Sequence, residues 1–295
     1  MKKKRKSSPF LYILPCVAFL LIFIIAYPFG YNIYASMYRY SLTNPEKMSF
    51  VGIGNFVKLF NDKYFKNSVM VTTKIVLLTL VIEVFVGLGI ALLLHNEFKG
   101  RNIIRVLFMM PLATVPVING YLFKLLFFPS ASVINDMLMK IGILKEQIQW
   151  LNYTGTATFA MIATDCWQWI PFIMVILFAG LESIPVEPYE LAKMDGMKSI
   201  KIFFKVTLPR LKFVLTIAIL IRFMDLLRLF DTVFALTMGG PRSATETIAY
   251  YIYRTGFKTF NVGMASASSI VVWAVIYIVA FITIRQVFGR KGAEA

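Results

Sequence analysis

The sequence predicts an all-α fold: a polytopic membrane protein with six transmembrane helices and a cytoplasmic helix-Gly-helix coupling loop. Three features point to it. Hydrophobic residues supply 58% of the 295 positions and charged residues 16%, well short of the about 25% charge of a soluble domain. Apolar runs cover residues 10–34, 70–94, 104–126, 156–181, 209–233 and 265–285, each long enough for a tilted helix across a core that needs about twenty residues. Basic residues concentrate in alternate connections, with seventeen Lys and Arg in the four segments on one side and ten in the three segments on the other. By the positive-inside bias, both termini and the connection around residue 190 face the cytoplasm. The net charge of +16 is therefore a topology signal, and no nucleic-acid partner is expected.

Taken in order, residues 1–9 form a basic cytoplasmic terminus, 10–285 the membrane domain and 286–295 a cytoplasmic tail. The KKKRK run at 2–6 followed by an apolar stretch has the look of a secretory leader, but the uncharged stretch from Ser7 to Tyr38 is about twice too long and lacks a small-residue cleavage site. It is expected to stay as the first span. Pro15 stands before Cys16 where lipidation needs a small residue. Cys16 and Cys166 lie in apolar runs without a CxxC, and His95 is the single histidine, so neither a disulfide nor a metal site is expected. In the second span, Gly87-x-x-x-Ala91 is a small-residue pair that admits a close helix neighbour. After the fifth span, Thr237, Gly239, Gly240 and Pro241 mark a sharp exit, and Tyr250, Tyr251, Tyr253 and Phe257 have the amphipathic rings of a membrane-interface anchor.

The segment 182–209 is polar yet patterned. Pro185 and Pro188 open a helix of about two turns, because proline is tolerated where no N–H partner is needed, and Gly196 closes it as the residue best suited to a left-handed cap. Beyond the glycine, Lys198, Lys201 and Lys205 alternate with Ile200, Phe203, Phe204 and Val206 as in an amphipathic helix of about ten residues; Leu208-Pro209 ends it and starts a new element. Neither helix is long enough to cross a bilayer.

Glu190-Leu191-Ala192, Asp195-Gly196, Phe203 and Leu208-Pro209 resemble the EAA loop of permease subunits in binding-protein-dependent ABC importers. Leu191 stands where alanine is usual and Phe213 where a further proline is common. Other stretches resemble the sugar-transporting branch, of maltose, glycerol-phosphate and multiple-sugar type: Phe50-Val51-Gly52 with Asn55-Phe56, then Gly100, Arg105 and Pro111, then Arg222-x-x-Asp225, Phe230-Asp231 and Leu236-Thr237-x-Gly239-Gly240-Pro241. Ala131-Ser132 departs from the glycine that often precedes the pair seen here as Ile134-Asn135. The resemblance implies an inner-membrane permease of a bacterium or archaeon. Its partners would be a similar second permease chain, two ATP-binding subunits and an extracellular substrate-binding protein. It also implies that Glu190, Ala192, Asp195, Gly196, Phe203, Leu208 and Pro209 dock the loop into the ATPase. On that view this chain binds no cofactor, the partner ATPase uses ATP and Mg, and the cargo is a sugar, foremost an oligosaccharide.

No GxxxxGK[ST] phosphate loop and no GxSxG or HExxH constellation occurs in the chain, so a non-catalytic subunit is expected, without catalytic or metal residues. Charges inside spans remain, and each is costly in hydrocarbon unless paired or wet. The candidates are Glu83, Asp165, Lys124 near the outer end of the third span, and a series in the fifth span, Arg222, Asp225, Arg228 and Asp231, which alternates in sign every three residues. The series reads either as a self-neutralising ladder or as the lining of an aqueous cavity shared with a second subunit. Arg222, Asp225, Leu226 and Leu229 correspond, by the resemblance, to sugar-contacting positions of maltose-type relatives, and only the first two could hydrogen-bond a sugar. An anionic, glycerol-phosphate-like cargo is one alternative. A secondary transporter is another; it would show repeat symmetry and broken helices and has no use for a helix-glycine-helix loop.

Overall fold

The computed structural model describes residues 16–17, 19–128 and 132–288. The basic terminus 1–9, the first residues of the span at 10–34, Ala131 and the tail from 289 lie outside the described residues. Helices dominate, in two compact units.

One unit combines the residues up to Asp62 with Ile252–Ala274. A π turn at Leu21–Ala26 leads into α1 (Tyr27–Ser36), and Pro28 sits directly after the turn. A proline ring clashes with the carbonyl four residues back, and the wider π turn makes room for it. Two short strands follow, a departure from the purely helical expectation: β1 (Tyr38–Arg39) pairs antiparallel with β2 (Ser49–Phe50), Tyr38 opposite Phe50. In α2 (Gly54–Asn61), the buried Asn55 donates its amide to Ser36 O at 2.7 Å and Tyr38 O at 2.8 Å. It thereby satisfies carbonyls freed where α1 ends. The start of α13 (Val262–Phe288) joins the same unit through Gly263 N, which donates to Tyr40 O at 3.0 Å.

The other unit spans Lys63–Tyr251 and the chain from Val275. Its centre is a pair of long helices, α3 (Lys63–His95) and α7 (Thr154–Glu182). They run parallel and in step: Cys166 Sγ meets Thr79 O at 4.0 Å, Ile173 covers Gly87, and Glu182 faces His95. A Cβ on Gly87 would lie 2.8 Å from Ile173 Cγ2, and Ala91 one turn on is fully buried. The small-residue pair therefore does what its spacing predicts. Ala91, Leu94, Ile173, Met174, Leu177 and Leu181 form the core with Leu211 and Ala218 of the antiparallel α10 (Leu208–Leu226).

Two predicted spans are broken. The run at 104–126 divides into α4 (Arg101–Met109) with a 3-10 turn at Met110–Ala113, and α5 (Pro116–Leu126), bent by 98°. Pro111 and Pro116 remove two N–H donors, and the residue before a proline avoids helical ψ; Thr114 and Val115 are extended at ψ 143° and 130°. α7 stabilises the break, since Gln168 Nε2 donates to the freed Thr114 O at 2.8 Å while Asn119 Nδ2 donates to Gln168 Oε1 at 3.1 Å. The run at 209–233 divides into α10 and α11 (Asp231–Leu236). No proline or glycine marks that break; the Leu229 carbonyl there accepts from Thr247 Oγ1 at 2.7 Å. α5 packs on α11, with Gly120 against Ala235. The peripheral α6 is Val133–Lys140.

Tyr250 and Tyr251, at the start of α12 (Ile248–Tyr253), are buried rather than anchoring at an interface: Tyr250 stacks on Phe230 and Tyr251 meets Phe65. Phe257 stays exposed. Among the described residues, α3, α7 and α13 are long and apolar enough to cross a membrane, and the bent pair α4–α5 makes a fourth if counted as one span.

Gly87→Val should destabilise the protein by about 1–3 kcal/mol through overpacking against Ile173. Gly89→Val on the same helix, where a Cβ meets open space, should be near neutral. Thermal unfolding of the detergent-purified variants checks the difference, and equal midpoints would contradict the packing.

Candidate functional site

The predicted site residues fall in two sets, one on α8 and the start of the helical path that follows it, the other near that path's far end. At one end, α8 (Glu187–Met194) has Pro188 in its first turn and ends on Asp195. Gly196 follows at φ +69°, donating to Lys193 O at 2.9 Å, and Met197 N reaches back to Ala192 O at 3.0 Å. That pair of bonds is a Schellman closure, with glycine where the left-handed conformation is needed. Ala192 is buried; Leu191 and Met194 turn outward, 62% and 83% exposed. The outward side of this short helix therefore sets two apolar side chains among the exposed Glu187, Glu190 and Lys193.

The second half of the segment differs from its prediction. α9 (Ser199–Ile202) passes into a π turn at Phe203–Thr207 and then directly into α10, so Leu208-Pro209 opens the next helix as expected but without ending the path before it. The cause is the one at Pro28: the π turn absorbs the proline at 209 without a break. Of the predicted apolar side, Val206 is buried while Ile200 and Phe204 are exposed. α8 packs against the π turn; Glu190 and Ala192 lie on α8, Asp195 and Gly196 in its closure, Phe203 in the π turn, and Leu208 and Pro209 at the start of α10.

At the other end, Arg222 is buried to 1% exposure. Its Nε and Nη2 donate to Glu83 of α3 at 2.8 and 2.9 Å as a bidentate fork, Nη2 also donates to Asp165 of α7, and Nη1 donates to Asp225. The guanidinium lies over the Trp169 ring, 4.7 Å from its centroid. Glu83 and Asp165 are fully buried. The ladder expectation thus fails beyond its first rung. α10 ends at Leu226, so Arg228 and Asp231 leave the helix that would have aligned them, and the strong partners of Arg222 come from other helices.

The four candidate path positions accordingly separate. Arg222 and Leu226 are interior residues of this chain, and Leu229 lies in the break beyond α10 rather than on its face. Asp225, with its side chain 42% exposed, presents a polar group outward. Glu83 and Asp165 were visible in the sequence as costly single charges, and a rule that every such charge must find a partner across helices would have joined them to Arg222. Trp169 carried no such signal.

A family model described as "Binding-protein-dependent transport system inner membrane component" matches residues 83–290. The chain is 33% identical over 279 residues to the trehalose/maltose transport system permease protein MalF of Thermococcus litoralis, covering 94% of this chain and 92% of that protein. It is 30% identical over 269 residues to the trehalose transport system permease protein SugA of Mycobacterium tuberculosis, covering 91% and 85%. The crystal structure of a bacterial ABC transporter involved in the import of the acidic polysaccharide alginate superposes with a TM-score of 0.80 at 23% identity over 94% of both chains. A second structure, of the alginate transporter in complex with an alginate pentasaccharide-bound periplasmic protein, gives 0.80 at 22% identity over 94% and 93%. Both likenesses are of fold.

Arg222→Leu should cost about 3–5 kcal/mol, because it strands Glu83 and Asp165 as buried, uncompensated carboxylates. Adding Asp225→Leu should not rescue it, since the two stranded groups remain. Asp225→Asn alone should fold. Membrane-inserted yield and thermal unfolding of the three variants check the order; a stable Arg222→Leu, Asp225→Leu protein would contradict it.

Proposed function

The chain belongs to the family of binding-protein-dependent transport system inner membrane components, and from that premise we propose that it is a permease subunit of an ATP-driven importer of a sugar, foremost an oligosaccharide. The observation that carries the proposal is the family match over residues 83–290, joined to relatives named for trehalose and maltose transport. Six spans complete the fold on this reading. The run at 10–34, which ends in α1, and α10 with α11 add to α3, α4–α5, α7 and α13.

The chain sits in the cell inner membrane with both termini in the cytoplasm, as the seventeen-to-ten distribution of basic residues favours. A homologous second permease, two ATP-binding subunits and an extracellular binding protein make up the assembly, and the ATP and its magnesium belong to the ATP-binding subunits. α8 is the docking element toward an ATP-binding subunit. Its outward Leu191 and Met194 supply apolar contact, and Gly196 sets the angle at which the helix is presented. Asp225 is the polar group this chain turns toward the sugar path, and Arg222 holds it in place from behind. The alternative of an anionic, glycerol-phosphate-like cargo receives no added support from a centre where carboxylates outnumber the guanidinium three to one.

Co-expression with the cognate ATP-binding subunits should yield a co-purifying complex. Gly196→Val, which places a β-branched residue at positive φ, should insert normally yet lose ATPase association or binding-protein-stimulated hydrolysis. Retention of both would remove α8 from the docking role. Cysteines placed at Lys198 and Asn152 should label from opposite sides of the membrane, and labelling of position 198 from outside intact cells would overturn the orientation.

A further inference from the structure

The end of α7 carries a second charged junction, separate from the one at Arg222. Glu182 is the last residue of α7, and its Oε1 accepts a hydrogen bond from Nη2 of Arg101, the first residue of α4. The same oxygen lies 3.6 Å from Nδ1 of His95, the last residue of α3. Three helix ends thus meet on one carboxylate. The guanidinium groups of Arg101 and Arg105 lie over the Phe178 ring, 5.1 and 4.2 Å from its centroid, and lock α4 to the face of α7 one turn further in. At the far end of the same stretch Gln168 of α7 holds Thr114 O. The stretch of α4 and the 3-10 turn after it is therefore fastened to α7 at both ends, and Glu182 stands five residues ahead of α8.

We propose that the Glu182–Arg101 pair, with His95 against it, is the joint through which movement of the coupling segment reaches the third span. Glu182 acts here as a positioning residue for transport, working through α4 without touching substrate or nucleotide. The inference rests on the reading of α8 as the ATPase-docking element. Its physical basis is connectivity. A displacement of α8 arrives first at the end of α7, and the pair at residue 182 is where α7 grips α4. Without the pair, the start of α4 keeps only its ring contacts to Phe178 and can slip while α7 moves.

The Glu182 side chain is 47% exposed, and ion pairs so open to water contribute little to stability. Loss of the pair should therefore spare folding and show in coupling. The complex, reconstituted in vesicles with its ATP-binding subunits and binding protein, is assayed for ATP hydrolysis with and without the liganded binding protein. Arg101→Gln and Arg101→Glu should lower the stimulated rate by roughly two- to thirtyfold, the span that residues of a coupled network produce. The basal rate and unfolding midpoint should hold. Arg101→Lys should keep most of the stimulation, and Arg101→Glu combined with Glu182→Arg should restore it. Full stimulation in Arg101→Gln overturns the proposal, as does an equal fall in basal and stimulated rates, or a charge swap that assembles and stays uncoupled. If Arg101→Glu does not assemble, Arg101→Gln decides. Full stimulation in a Gly196→Val complex tells instead against the docking role of α8.

Discussion

Arg222 is the charge on which the interior depends. A guanidinium buried among apolar helices is tolerable only if its donors are met, and four of its hydrogen bonds go to carboxylates on α3, α7 and α10. The arrangement is less a source of net stability than a constraint. Charges taken out of water repay the cost only in good geometry, and a hydrophobic replacement of the whole set can be as stable. What the cluster supplies is a fixed register of three helices, because sliding any one of them strands a buried charge. The long core of Ile173, Met174, Leu177 and Leu181 against Ala91 and Leu211 would tolerate such a slide far better, as apolar packing is not directional.

Both breaks lie on elements that meet this centre. α4–α5 opens at Thr114, and its freed carbonyl is taken by Gln168, three residues along α7 from Asp165. α10 ends one residue beyond Asp225, and the Leu229 carbonyl is taken by Thr247. Non-helical backbone at membrane depth survives only where protein or water satisfies it, and here the protein does so at both carbonyls. Broken helices alone therefore fail to distinguish a secondary transporter from this family. What does separate them is the family match over residues 83–290 and the relatives at 30% identity or more.

How much could be read in advance followed from how local each cause is. Gly196 was legible because positive φ after a short helix is a single-residue demand. The long helices α3, α7 and α13 were legible because their apolar runs are long and crossed only by isolated charges, and each lies within a few residues of its predicted bounds apart from the amino-terminal extension of α3 to Lys63. The α4–α5 break had a signal in Pro111 and Pro116, which the hydropathy of the run outweighed. The end of α10 had none, since its cause is Thr247, eighteen residues on. The partners of Arg222 were hidden for the same reason: Asp225 is one turn away, but Glu83 and Asp165 are 139 and 57 positions distant. Tyr250 and Tyr251 carried the composition of an interface and turned out to be core, because burial is decided by Phe65 and Phe230, residues far from them in sequence.

The continuity of the helix from α9 through the π turn to the end of α10 bears on how the two sites communicate. Phe203 and Arg222 are nineteen residues apart on one unbroken helical path, about 29 Å at 1.5 Å per residue. Had Leu208-Pro209 ended one helix as well as starting the next, a joint would separate Phe203 from the buried charge. The π turn removes that joint. A push on the segment around Phe203 is then borne along α10 to Arg222, whose bonds to Glu83 and Asp165 oblige α3 and α7 to respond. The break at residues 227–230 stops the same motion from passing rigidly into α11. The run from Phe203 to Leu226 is thus one continuous helical element, and α11, with α5 packed on it, is set off by the breaks at Thr114 and beyond Leu226.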